Sequence, residues 1–206
     1  MELRGRVLHR VLLGRVSRQP VAKLDNRVGA GIGGSHQRYP SAMTVLVAGV
    51  GNVLRGDDGF GVVVAERLQA HAVPDGVRVV ETGIGGLHLV QELMAGADAL
   101  VVVDSIDLGR EPGTVLVVRP DIADVVSLPL LARNDQLADV HYATPERAFM
   151  LASALGVLPK QTWVVGCQPV DAESVARELH PDVAAAVDVA IAEVRALVRC
   201  CGVDWP

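Results

Sequence analysis

The chain has 206 residues, half of them apolar and 21% charged, which suits one domain with an appendage and excludes a disordered polymer. Aromatic residues make up only 3%, so Val, Leu, Ala and Ile must build the core, and no apolar run nears the ~20 residues of a membrane-spanning helix. The formal net charge of -5 conceals a split: residues 1–42 carry 8 basic and 2 acidic side chains, net +6, while residues 43–206 carry 11 basic and 22 acidic, net -11. An acidic main body excludes a nucleic-acid-binding domain, which needs clustered positive charge.

Cys167, Cys200 and Cys201 are odd in number and form no CxxC pair. That pattern points to a reducing cytoplasm rather than a disulfide framework. The first residues lack a continuous apolar stretch ending in a small-residue cleavage site, which argues against secretion. Residues 1–42 are Arg-rich, hold the glycine run Gly29–Gly34 and lack clear periodicity. They read as a flexible basic extension, or as sequence upstream of a start at Met43. A basic docking arm or a transit peptide is the weaker reading.

The pattern changes at Thr44. Residues 44–49 form a continuous apolar strand ending in glycine, as expected of a strand buried on both faces. A helix is predicted over 60–70 with Val63, Val64 and Leu68 inward, then a strand over 76–81. A second helix over 87–95 packs Val90, Leu93 and Met94. Residues 99–104 form another buried strand, and Pro112-Gly113 turns the chain into a strand over 114–119. The link before it is too short for a helical crossover, so that strand should run antiparallel to its predecessor. An Asp-containing loop over 120–143, a helix over 145–155 and a strand over 161–167 follow. An amphipathic helix over 182–198 closes the domain, with Val183, Val187, Ala190, Ile191, Val194 and Leu197 on its stripe. Residues 43–199 thus form the domain and 200–206 a short tail. The fold class is a three-layer α/β/α sandwich whose mostly parallel five-stranded sheet contains one antiparallel strand.

In such sheets, sites form beyond the carboxyl ends of the strands. Asn52, Asp57 and Asp58 follow the first strand, Glu81 ends the second, Asp104 ends the third, and His141 lies in the long loop. The run Gly49-Val50-Gly51-Asn52-Val53-Leu54-Arg55-Gly56-Asp57-Asp58-Gly59-Phe60-Gly61 is the sharpest local signal. A dinucleotide fingerprint would need a third glycine at Leu54, and two carboxylates at the helix start would repel a pyrophosphate. Glu81 mimics a ribose-binding acid, which keeps a nucleotide-binding alternative in play. Aspartate also caps helices, and one suffices. Asp57 is assigned the cap, leaving Asp58 to face the strand ends. Asp104 could simply serve its own turn, and His141 could be an ordinary loop histidine. Taken together, Asp58, Asp104 and His141 offer two carboxylates and an imidazole, a set suited to a divalent metal with open positions.

The ensemble resembles the hydrogenase maturation endopeptidases over about residues 43–198. Four features match in order: Gly49 to Gly61; the acidic strand end with its glycine turn, Glu81-Thr82-Gly83-Ile84-Gly85-Gly86; Asp104 followed by Pro112-Gly113; and His141 followed by Thr144. The resemblance implies that Asp58, Asp104 and His141 bind nickel, and that the nickel arrives with the substrate, an immature nickel–iron hydrogenase large subunit. It further implies removal of a C-terminal extension from that nickel-loaded precursor. For the hydrolysis itself two options stand: a metal at Asp58, Asp104 and His141 activates water or polarises the carbonyl, or it only tethers the substrate while Glu81 or Asp58 acts as general base. Members often carry Asp where this chain has Glu81. A monomer acting in the cytoplasm, with no membrane or nucleic-acid partner, is expected. The rival reading is a metal-binding maturation partner that docks the precursor without cutting it. Cys167 reads as a small buried hydrophobe rather than a nucleophile.

Overall fold

A computed structural model of the chain describes residues 43–84, 86–107, 109–122 and 145–206. Five strands form one sheet: β1 (Val45–Val50), β2 (Val77–Gly83), β3 (Ala99–Ser105), β4 (Val115–Val118) and β5 (Gln161–Cys167). Among the described residues five α-helices accompany them: α1 (Phe60–Gln69), α2 (Gly86–Met94), α3 (Pro145–Ala154), α4 (Pro181–Ala185) and α5 (Val187–Cys200). A 3-10 turn at Gly56–Gly59 leads into α1.

The strand order is β2-β1-β3-β5-β4. All neighbours are parallel except β4 and β5, which pair antiparallel from Val115 opposite Cys167 to Val118 opposite Val164. Continuous burial of β1 and β3 agrees with their unbroken apolar sequences. Strand β4 opposes β3 in direction, as expected, but its partner is β5, which lies between them.

Two cores sandwich the sheet. On one face α1 and α5 cover Val45, Val47, Val101, Val103 and Val165, with Phe60, Val64, Leu68, Val194 and Leu197 from the helices. On the other, α2 and α3 cover Leu46, Ala48, Leu100 and Val102, with Leu89, Leu93 and Phe149. Alternate residues of each strand feed the two cores, as the period of two requires. The three-layer arrangement therefore matches the sequence reading.

Details differ from that reading for local reasons. Met94 is exposed, because Leu89, Val90 and Leu93 already fill the inward stripe of α2. The predicted closing helix is divided at Ala186, whose N–H bonds to Val183 in a tightened turn. Pro181 opens α4 behind His180, whose ring accepts the Asp182 N–H. Residues beyond α5 are not loose: Cys201 and Trp205 are buried against the α1/α5 face, and Arg199 donates to the Trp205 carbonyl at 2.7 Å.

At Gly61 and Gly49, α1 and the sheet touch through their backbones. A methyl group at Gly61 would run into the carbonyl oxygens of Val50 and Val103, and one at Gly49 into the carbonyl of Gly61. Gly61→Ala is therefore expected to destabilise the fold by about 1–3 kcal/mol through overpacking, read as a lowered urea midpoint with an unchanged m-value.

Candidate active site

The order of connections reverses at β1 and β3. From β1 the chain crosses to β2 on one side, then returns to place β3 on the other. Open sheets bind ligands at such switch points, outside the carboxyl ends of the strands. Asp58 follows β1 and Asp104 lies within the last turn of β3, so both acids belong to the two strands flanking this crevice.

The glycine motif builds a turn that aims Asp58. Gly51 has φ +135°, and a side chain there would strike the Asp58 carbonyl. The Asn52 side-chain oxygen accepts the Leu54 N–H at 3.0 Å, an Asx turn. The Asn52 N–H in turn donates to the Asp58 carboxylate at 3.0 Å. A backbone donor that a phosphate cradle would use is thus taken by this protein's own aspartate.

Asp57 does something the sequence did not suggest. Its buried carboxylate accepts the backbone N–H groups of Val170 at 2.8 Å, Asp171 at 3.1 Å and His180 at 2.7 Å. It holds the segment after β5 against the 3-10 turn, whereas capping was expected. Helix α1 has Gly59 at its N-cap and no side-chain cap.

Asp104 is buried, and its carboxylate accepts the Ser105 N–H at 2.8 Å. Burial first, then the negative charge of Asp58, with a further contribution from Glu146, push its pKa well above the ordinary carboxylate range; the Ser105 hydrogen bond opposes them. The like-charge effect places Asp58 and Glu146 within electrostatic reach of Asp104. Glu146 was missed in the sequence, where an acid in a helix's first turn reads as ordinary dipole stabilisation.

Glu81 stands apart. It lies opposite Gly49, two positions before β2 ends, and is exposed. It continues the Val77 and Val79 series on the α1/α5 face, whereas Asp104 continues Leu100 and Val102 on the α2/α3 face. The register shifts just beyond it, with Gly83 opposite Val50 and Thr82 inserted between. His141 and Thr144 lie outside the described residues. Among the described residues no three His, Cys, Asp or Glu side chains gather as a metal site. A divalent charge beside Asp58 and Asp104 would relieve the like-charge part of the effect that raises Asp104. Cys167 is buried, and burial followed by the Asp57 charge pushes its thiol up to about 12, which makes it an inert core residue.

These features define an α/β protein whose switch point holds a buried aspartate, Asp104, and a half-buried one, Asp58, in place of a phosphate cradle. Residues 62–196 match a family described as hydrogenase maturation protease. The chain is similar to the hydrogenase expression/formation protein HupD of Rhodobacter capsulatus, at 36% identity over 161 residues, 78% of this chain and 73% of that protein. It is likewise similar to a putative hydrogenase maturation protease of Methanocaldococcus jannaschii, at 33% identity over 71% of this chain and 91% of that one. Among solved structures, the hydrogenase maturating endopeptidase HybD from E. coli superposes with a TM-score of 0.64 at 27% identity, covering 79% of this chain and 96% of that one. A hydrogenase 2 maturation peptidase from a Thaumarchaeota archaeon gives 0.56 at 31% identity, covering 76% and 98%. The chain belongs to the hydrogenase maturation protease family.

Two outcomes follow from the site's geometry. Asp57→Ala strands three N–H groups that now share one carboxylate, so it should cost at least about 2 kcal/mol and speed hydrogen exchange at Val170, Asp171 and His180. For Asp104, the folded chain binds more protons than the unfolded chain between the ordinary carboxylate pKa and the raised one, so its contribution to stability is lost as pH rises through that window. Metal-free Asp104→Asn should therefore be more stable than wild type at neutral pH, the two converging below about pH 4; urea midpoints measured across pH check this.

Proposed function

We propose that this peptidase removes the C-terminal extension of a nickel–iron hydrogenase large-subunit precursor after nickel has been inserted. Nickel is part of the substrate in this reading, and Asp58, Asp104 and His141 of the enzyme engage it. The observation that carries the proposal is the placement of Asp58 after β1 and of buried Asp104 at the end of β3, the two strands that flank the switch point, where a cation would settle the charge that Asp58 presses on Asp104. His141 supplies the third donor; it is five residues before Glu146, whose charge already acts on Asp104.

The donor set has a functional logic. Two oxygens and one imidazole hold nickel more weakly than thiolates do, so the enzyme reads the metal without stripping it from the precursor. Bound nickel would fix the precursor's chain end and can polarise a nearby carbonyl. Peptide hydrolysis also needs a base to activate water and a proton for the leaving amine. Asp58 and Glu81 are the candidate bases. The charge that Asp58 exerts on Asp104 favours Asp58, while Glu81 stands exposed in β2 opposite Gly49. Asn52 steadies Asp58 through its N–H, fixing one carboxylate oxygen.

No helix among the described residues is long and apolar enough to cross a membrane. We place the reaction in the cytoplasm, in keeping with three cysteines that stand as free thiols, and carried out by a monomer. Incubating the purified protein with nickel-loaded and nickel-free precursor tests the proposal: only the loaded form should be cut. Asp58→Asn, Asp104→Asn and His141→Ala should each abolish cleavage, on the order of 100-fold or more, without unfolding the protein. Equal cutting of both precursors sinks the tether. Cutting by all three variants sinks the site.

A further inference from the structure

Nine large apolar side chains stand exposed among the described residues. Six of them lie on segments that leave the carboxyl ends of strands: Val53 and Leu54 after β1, Ile84 and Leu87 after β2, Val170 and Val175 after β5. Leu54 is 55% exposed, Ile84 64% and Leu87 52%. Water is an expensive neighbour for such groups, and a patch of them beside a polar site marks an interaction surface.

Their backbones are held in place. The Leu54 N–H donates to Asn52 at 3.0 Å, and its carbonyl accepts the Ala176 N–H at 3.1 Å. Gly51 donates to the Gly83 carbonyl at 3.1 Å, tying the β1 loop to the β2 loop one residue before Ile84. Val170 is fixed by Asp57 at 2.8 Å. An exposed apolar side chain on a braced backbone has little further ordering cost when something covers it.

We propose that Leu54, Ile84 and Leu87, with Val53 beside them, form the docking surface for an extended apolar stretch of the precursor next to the scissile bond. This rests on the peptidase reading above. Leu54 lies four residues before Asp58 in the turn that aims it, and the Gly51–Gly83 hydrogen bond ties that turn to the segment carrying Ile84. A polypeptide lying with its scissile bond at Asp58 and Asp104 passes over these loops, and the side chains that fit there are apolar. A second copy of this chain is the lesser occupant, since four partly exposed aliphatic groups fall short of the ~800 Å² per partner that a stable dimer buries.

The test is processing of nickel-loaded precursor by wild type, by the triple variant Leu54→Ser, Ile84→Ser, Leu87→Ser, by Val189→Ser and by Asp104→Asn. Val189 is an exposed valine on α5, outside the segments that follow β1 and β2. The triple variant should lose at least ~10-fold in kcat/KM, mostly through KM, as removal of apolar subsite contacts does. Val189→Ser should change nothing. A precursor with serine in place of the apolar residues flanking the bond should lose the same factor on wild type and nothing more on the triple variant. Unchanged kcat/KM in the triple variant while Asp104→Asn is inactive overturns the docking surface and leaves the peptidase site standing. Cleavage by Asp104→Asn at the wild-type rate instead overturns the site itself. A concentration-dependent dimer that the triple substitution dissolves assigns the patch to a second copy and also overturns the proposal.

Discussion

Helix α1 meets the sheet backbone to backbone at Gly61. Gly61 leaves room for the carbonyls of Val50 and Val103, and Gly49 leaves room for Gly61. That contact fixes how low the helix lies over β1 and β3, and therefore how far the turn ahead of it, with Asp57 and Asp58, reaches over the strand ends. Close packing transmits small shifts rather than absorbing them. A methyl group at either glycine would lift the acidic turn away from Asp104, even though neither glycine touches the site. The same approach lets a single turn serve two neighbours, the β3 rim through Asp58 and the post-β5 segment through Asp57.

Much of this was legible in the sequence, and the reasons are specific. Strands β1 and β3 announce themselves as unbroken apolar runs because both faces are covered. The switch-point rule then singles out Asp58 and Asp104 without any knowledge of their distance. What could not be read is what depends on long-range pairing. Strand β4 finds β5 rather than β3, although its direction was foreseeable from the short turn before it. The three amides that Asp57 gathers lie 113, 114 and 123 residues away, so no local pattern separates a brace from a cap. Trp205 carries no periodicity and sits past the last helix, yet its ring is buried beside α5. Glu146 looks like any helix-opening acid until the fold sets it near Asp104.

Electrostatics gives the site its direction. Folding brings carboxylates together where burial already disfavours charge, which costs stability. A chain selected for stability alone would place an amide or an aliphatic group at Asp104. Retaining the acid makes sense when the folded protein meets a cation that the unfolded chain does not see, because that encounter recovers the repulsion. An acidic crevice in a body of net charge -11 also raises the local concentration of cationic partners.

The division of labour between adjacent aspartates follows from how α1 begins. An α-helix exposes unpaired N–H groups at its start, and an aspartate there is normally drawn to them. Here the 3-10 turn supplies the acceptor from the backbone: the Phe60 N–H bonds to the Asp57 carbonyl. The helix is thereby closed without a side chain, which releases both carboxylates from capping. Asp57 points back to three amides beyond β5 and is saturated by them. Asp58, one residue on, is held by the Asn52 N–H, and its charge bears on Asp104 of β3. Two identical residues acquire different roles because the backbone already satisfies the demand that would have claimed one of them.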